Sequence, residues 1–307
     1  VSPRNPEAIL RRLEWTVLKR LDGLLQGDYR TLLRGFGLDL ADLREYQFHD
    51  DVRHIDWNVT ARTSTPYVRE HNEDREITAW FLLDLSPSVD FGSGEASKRD
   101  QLIAFTATLA RLLTRQGNRV GALFFSGKLD AVIPAQTGRR HVLHIVDALL
   151  KRPKQTRAPA TDLSEMLRSG FNTVRRRSLV FVISDFISTP GWEAPLALLA
   201  RRHEVLAVRL FDPLEVKLPD LGMLTLRDAE TGEQLFVDLG DRKFRRRFAV
   251  AAEKREQDLR EAFHKAGVDV LELSTDEDVG DAILGFAQAR KQRARAASGG
   301  SPSKAFA

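Results

Sequence analysis

The run Thr78-Ala-Trp-Phe-Leu-Leu-Asp84-Leu-Ser86-Pro-Ser88 sets the fold class. Ala79 to Leu83 is apolar without interruption. That is the pattern of a strand covered on both faces in a parallel sheet, since a half-exposed strand alternates apolar and polar residues. Asp84, Ser86 and Ser88 then present three small oxygen-bearing side chains two residues apart. Helix signals follow: Ser97 as a candidate N-cap, Asp100 in the first turn, and an apolar run through Leu102, Ile103, Phe105, Leu109, Leu112 and Leu113. A strand that ends in oxygens and leads into a helix puts them at the carboxyl edge of a sheet, where open α/β folds bind ligands.

Working outward, Leu179-Val-Phe-Val-Ile-Ser-Asp185 repeats the design of an apolar run closed by an aspartate, and Thr161 opens a helix start, Thr-Asp-Leu-Ser-Glu-Met-Leu. Further buried strands are expected at Arg119–Phe125, Val205–Phe211 and Val268–Leu273, with an edge strand at Leu129–Ile133. Helices are expected at Arg139–Lys151, Leu163–Phe171, Trp192–Arg202 and Lys243–Ala266, with a last one through Val279, Ile283, Leu284 and Phe286. Strands alternating with helices predict an α/β fold, a doubly wound, mostly parallel sheet flanked by helices. An insertion at about 213–240, in which Glu215-Val-Lys-Leu-Pro219, Gly222-Met-Leu-Thr-Leu226 and Gln234-Leu-Phe-Val-Asp238 surround the turn Glu230-Thr-Gly232, reads as a β-hairpin or three-stranded flap. Residues 1–77 divide into a helix from Pro6 to Gly27, with Ile9, Leu10, Leu13, Val17, Leu21, Leu24 and Leu25 on one face, and an irregular β-rich segment. The α/β domain spans 78–290, and 291–307 is expected to be a flexible basic tail.

Asp-x-Ser-x-Ser alone is also ordinary turn and capping chemistry. Asp84, Ser86 and Ser88 in a first loop, Thr161 in a second and Asp185 in a third together resemble the metal-ion-dependent adhesion site of von Willebrand factor A domains. That resemblance implies a von Willebrand factor A-like domain holding Mg²⁺, with Mn²⁺ or Ca²⁺ as alternatives. The chemistry is consistent with it: Mg²⁺ is a hard ion that takes oxygen ligands in octahedral geometry and keeps some of its waters. Hydroxyls of Ser86, Ser88 and Thr161 would hold it without quenching its charge, while Asp84 and Asp185 supply negative charge partly through water. One position is left for a carboxylate from another protein.

The segment Asp39 to Glu76 is dense in Arg, Asp, Glu and aromatic residues. Asp42-Leu-Arg-Glu-Tyr46, Asp51-Val-Arg-His-Ile-Asp-Trp57 and Tyr67-Val-Arg-Glu70 resemble the hallmark of the bacterial "domain of unknown function 58" family. Asp84-Leu-Ser-Pro-Ser88 resembles that family's form of the metal motif, with Pro87 where adhesion proteins often carry glycine, and Gly117-Asn-Arg-Val-Gly121 and Asp228-Ala-Glu-Thr-Gly232 also match. The family resemblance implies association with a MoxR-type AAA+ ATPase in chaperone-like maturation or remodelling of other proteins. His54, Asp56 and His71 read either as metal or acid/base groups or as members of an Arg–carboxylate network, the second being preferred, with Trp57 and Tyr46 as packing residues.

Composition narrows the rest. A chain of 307 residues with 42% hydrophobic and 29% charged content has the means to bury a large core. It has no cysteine, which excludes disulfides and thiolate metal sites. No apolar run reaches the ~20 residues of a membrane span and no signal-peptide pattern is present, so the expected location is the cytoplasm. Net charge is +4, from clusters such as Arg175–Arg177, Arg245–Arg247 and Arg290–Arg295. Without a nucleic-acid module or a basic–aromatic platform these read as solvated faces, and nucleic acid is not an expected partner. There is no Gly-x-x-x-x-Gly-Lys-Ser/Thr, Gly-x-Gly-x-x-Gly or Gly-x-Ser-x-Gly, so a non-enzymatic adaptor is expected. The alternative is a structural interaction protein in which the five residues merely cap loops.

Overall fold

A computed structural model of the chain describes residues 5–18, 43–47, 55, 57, 60, 65–69, 77–153, 161–227 and 234–298. In chain order the elements are α1 (Pro6–Leu13), β1 (Leu43–Glu45), β2 (Tyr67–Arg69), β3 (Thr78–Asp84), α2 (Lys98–Arg115), β4 (Arg119–Phe125), β5 (Leu129–Gln136), α3 (Arg139–Lys151), α4 (Leu163–Thr173), β6 (Leu179–Ser184), α5 (Glu193–Arg202), β7 (Glu204–Phe211), α6 (Pro213–Val216), β8 (Met223–Arg227), β9 (Gln234–Asp238), α7 (Arg242–Ala266), β10 (Asp269–Ser274) and α8 (Val279–Ser298).

Six strands form the central sheet in the order β10-β7-β6-β3-β4-β5, all parallel except the β4–β5 pair. This is the expected doubly wound α/β sheet. β3 comes first in the chain and lies in the interior: β4 and β5 extend from one side of it, β6, β7 and β10 from the other. The winding therefore reverses between β3 and β6, the switch point at which doubly wound folds form a ligand crevice outside the carboxyl ends of their strands.

The uninterrupted apolar strand serves two cores. Phe81 and Leu83 pack with Leu10, Leu102, Val142 and Ile283, from α1, α2, α3 and α8. Leu82 packs with Met166, Leu196 and Phe263, from α4, α5 and α7. Stacking of Phe81 on Phe181, 5.0 Å between ring centroids, locks β3 to β6 directly beneath the crevice. Burying each such Leu or Phe is worth ~1.5–3 kcal/mol. α1 docks on the same body through Leu10 and through Arg139–Glu7 (2.8 Å) and Arg111–Glu14 (2.6 Å) pairs.

Three expectations are corrected. Glu215 and Val216 lie in the helical turn α6, not a strand: Asp212 caps it, Pro213 occupies its first turn, and the Glu215 side chain accepts from the Asp212 amide at 3.1 Å, closing a capping box. Of the two alternatives for the insertion, the two-stranded antiparallel pair of a hairpin is the one formed, β8 with β9. The basic tail is helical as far as Ser298, because its Arg, Gln and Ala residues are good helix formers and Arg290 and Arg293 pair with Asp269. Trp57, expected to pack, is 69% exposed. The antiparallel pair β1–β2 matches the expected β pieces of the N-terminal segment. The readings of His54, Asp56 and His71, the end of the first helix beyond residue 18, and the turn at Glu230-Thr-Gly232 lie outside the described residues. Among the described residues no helix is long and apolar enough to cross a membrane.

Candidate functional site

Asp84 ends β3 and is fully buried. Its Oδ1 accepts the Ser86 amide at 3.0 Å and its Oδ2 accepts the Ser184 hydroxyl at 2.6 Å. The chain then enters a single 3₁₀ turn, Pro87–Asp90, for which Pro87 presets φ. This turn brings the Ser86 and Ser88 hydroxyls within 3.1 Å of each other. Both residues are buried. The Leu85 amide bonds the Phe125 carbonyl at 2.7 Å and fastens the loop to the end of β4.

Asp185 directly follows β6 and is also buried. The next residue, Phe186, has φ 56°, a left-handed conformation uncommon outside glycine and asparagine. Its amide bonds the Ser184 hydroxyl at 2.9 Å, and its ring packs against Trp192 (5.3 Å between centroids) and edge-on to Phe263 (4.8 Å). Packing thus sustains a strained backbone, at a cost of ~1–3 kcal/mol, beside the residue that faces the crevice.

Thr161 is buried just ahead of α4. Its carbonyl accepts the Ser188 hydroxyl at 2.9 Å and the Thr189 amide at 3.1 Å, which stitches the second loop to the third. The cap of α4 is Asp162, whose side chain accepts from Ser164. All five sequence-derived residues therefore lie on one rim of the sheet. Ser86 contacts Asp84 and Ser88 directly, the charge of Asp185 acts on the buried Asp84, and Thr161 joins through the loop beyond Asp185.

Burial, and next the nearby charge of Asp185, push the Asp84 carboxyl up to about 6, against hydrogen bonds from Ser184 and Ser86 that pull it down. Two acidic groups are thus crowded together out of water. Lys98, which the sequence reading passed over, answers that charge. Its ammonium is fully buried and lies 2.7 Å from both Asp185 Oδ2 and Glu215 Oε1. Burial alone would lower the Lys98 pKa, but the two carboxylates outweigh it and hold it above the ordinary lysine value. A signal was present: Lys98 is the first residue of α2, where the helix dipole disfavours a cation. A lysine there needs compensating anions.

The neighbouring rim is built the same way. Asp212, after β7, accepts from the Ser93 amide (2.8 Å) and hydroxyl (2.7 Å), the Thr275 hydroxyl (2.8 Å) and the Leu214 amide (2.9 Å). Gln101 donates to the carbonyls of Ser274, Thr275 and Glu277 after β10. Lys98 and Gln101, in the first turn of α2, thereby tie together the loops after β6, β7 and β10. Among the described residues no group of three or more His, Cys, Asp or Glu side chains is gathered as for a metal ion.

This is a doubly wound α/β protein whose polar residues converge at the switch point of its sheet. Residues 42–258 match the family described as "Protein of unknown function DUF58", and the chain belongs to that family. The uncharacterized proteins Rv1480 of Mycobacterium tuberculosis and Mb1516 of Mycobacterium bovis are each 39% identical over 289 residues, covering 94% of this chain and 91% of theirs. Among solved structures, an aerotolerance-related membrane protein from Bacteroides fragilis superposes with a TM-score of 0.48 at 13% identity, covering 70% of this chain and 99% of that one. The conserved hypothetical protein BatB from Bacteroides thetaiotaomicron gives a TM-score of 0.47 at 15% identity, over 71% and 99% of the two chains.

Proposed function

We propose that the crevice between β3 and β6 is an adhesion-type divalent-cation site in a von Willebrand factor A-like domain, and that the protein is a non-enzymatic cytoplasmic adaptor. The observation that carries this reading is the meeting of three loops at one rim, with Ser86 hydrogen-bonded to both Asp84 and Ser88 and a second aspartate close enough to disturb the first. The donor set fits the ion: it is all oxygen, rich in neutral hydroxyls, and contains two crowded carboxylates that a cation would relieve. Asp84, Ser86, Ser88, Thr161 and Asp185 would hold Mg²⁺, or Mn²⁺ or Ca²⁺ in its place. The bound ion would offer a coordination position to an incoming carboxylate.

The partner is then a protein that presents an acidic residue. The family resemblance favours a MoxR-type AAA+ ATPase, the pair acting in chaperone-like maturation or remodelling. With no phosphate-binding motif in this chain, the ATPase would supply the energy and this protein the grip. A second reading, a metal-free interaction protein, is favoured by Lys98, which already pairs with Asp185.

Thermal melts in Mg²⁺ and in chelator, with calorimetric titration of Mg²⁺, separate the two. The metal reading expects stabilisation that grows with Mg²⁺ to ~2.7 kcal/mol at a hundredfold excess over Kd. It also expects Asp84→Ala to abolish binding. Identical melts, or Mg²⁺ bound as tightly by Asp84→Ala as by the wild type, would leave only the metal-free protein. A pull-down of the tagged protein with and without chelator then tests whether capture of the ATPase depends on the ion.

A further inference from the structure

We propose that Lys98 is the resident counter-ion of this site: its ammonium substitutes for a divalent cation at Asp185, keeps the three loops assembled without metal, and sets how tightly metal binds. The inference rests on the metal reading given above. It starts from a lysine in an unfavourable place. Lys98 is the first residue of α2, where backbone amides already carry partial positive charge, and its side chain has no exposure to water. A buried, unpaired ammonium would be costly. This one is paired twice, at 2.7 Å to Asp185 Oδ2 and 2.7 Å to Glu215 Oε1, and lies 5.9 Å from the face of Phe91.

The two carboxylates differ in what else they do. Asp185 belongs to the candidate ligand set, and its other oxygen, Oδ1, accepts the Ile187 amide at 3.0 Å. Glu215 sits outside that set, on α6, where its Oε2 closes the capping box and its carbonyl accepts from Arg255 at 2.8 Å. An ion that engages Asp185 must compete with the ammonium for Oδ2, and two cations sharing one buried carboxylate repel. Glu215 keeps the lysine paired when Asp185 is taken. The lysine is therefore a positioning and affinity-setting residue, not a ligand.

The test is calorimetric titration of Mg²⁺ and Mn²⁺ into the chelator-stripped full chain, wild type against Lys98→Met, a replacement of similar length without charge. Metal affinity is expected to rise about tenfold or more in Lys98→Met, because competition and repulsion are both removed. In chelator the variant is expected to melt well below the wild type, Asp185 being left buried and unpaired, and Mn²⁺ is expected to recover most of that loss. If Lys98→Met does not fold in chelator, it is diluted from urea into buffer with and without Mn²⁺. Refolding only with the ion supports substitution of one cation by the other, and failure in both overturns it. Equal affinities in the two proteins overturn the role of Lys98 and leave the metal site standing. Absence of binding by both overturns the metal site itself, and with it this inference.

Discussion

Replacing Asp84 with asparagine should make the metal-free protein more stable while abolishing metal binding. Asp84 is buried beside Asp185, and its carboxyl is displaced from 3.8 to about 6. At ~1.4 kcal/mol for each pKa unit, keeping it ionised at pH 7.5 costs the native state ~3 kcal/mol. Asparagine removes that cost but offers one acceptor oxygen where the carboxylate uses two, for the Ser86 amide and the Ser184 hydroxyl. Losing one such bond costs ~1 kcal/mol. The net expectation is a gain of ~2 kcal/mol, visible as a rise of ~0.5–1 M in the urea midpoint in chelator. The sign with pH follows from the direction of the shift. A carboxyl whose folded pKa is raised contributes stability that is fully present below its unfolded value, and that contribution disappears as pH rises through the folded value. By the same figures the variant should be ~1 kcal/mol less stable than the wild type near pH 4, where only the lost hydrogen bond counts, should overtake it as pH rises from the unfolded value toward about 6, and should keep a constant lead above that. Equal or lower stability of Asp84→Asn at pH 7.5 in chelator would refute the crowding of the two aspartates.

Other consequences are independent of any ion. A Cβ on Gly170 would clash with Leu82 Cδ2, so Gly170→Ala should destabilise by ~1–3 kcal/mol through overpacking, despite alanine's better helix propensity; a stabilised variant in urea melts would contradict the contact between α4 and β3. Burial raises Asp212, but the Ser93, Leu214 and Thr275 hydrogen bonds outweigh it and hold its pKa below the ordinary carboxylate value. Its contribution to stability is thus present above the unfolded pKa and lost as pH falls through the folded one. Asp212→Asn should flatten acid unfolding in that range, and an unchanged acid limb would count against the network. Buried Arg209 pairs with Glu256 through both terminal nitrogens, so Arg209→Met should cost ~3–5 kcal/mol by stranding the glutamate, whereas the double variant with Glu256→Leu should recover much of it. Equal stabilities of the single and double variants in urea would show that the pair is not coupled.

Much of this protein was readable residue by residue, and the failures have local causes. The capping box at Ser97 and Asp100 opens α2 as expected, because Ser-x-x-Asp is a short-range signal complete within one turn. The same motif, Asp212-Pro-Leu-Glu215, went unread because Glu215-Val-Lys-Leu alternates like a strand; a cap outweighs so short a pattern. The basic end of α8 looked like a tail by composition, yet its arginines find Asp269 on β10. Lys98 was missed for a different reason. Its partners Asp185 and Glu215 lie 87 and 117 residues away, and nothing near Ser97-Lys-Arg-Asp100 names them.

By itself the sequence determined the doubly wound sheet, the strands and helices that build it, and the five oxygen-bearing residues in the loops at its rim. Periodicity and capping are properties of neighbouring residues, and a strand that runs from apolar to acidic announces its own buried and ligand-facing ends. Only the tertiary structure decided that β3 and β6 are adjacent, that their aspartates crowd each other, and that a lysine from a third element pairs with one of them. Electrostatic energy depends on distance through space, and strand order sets those distances between residues about a hundred positions apart.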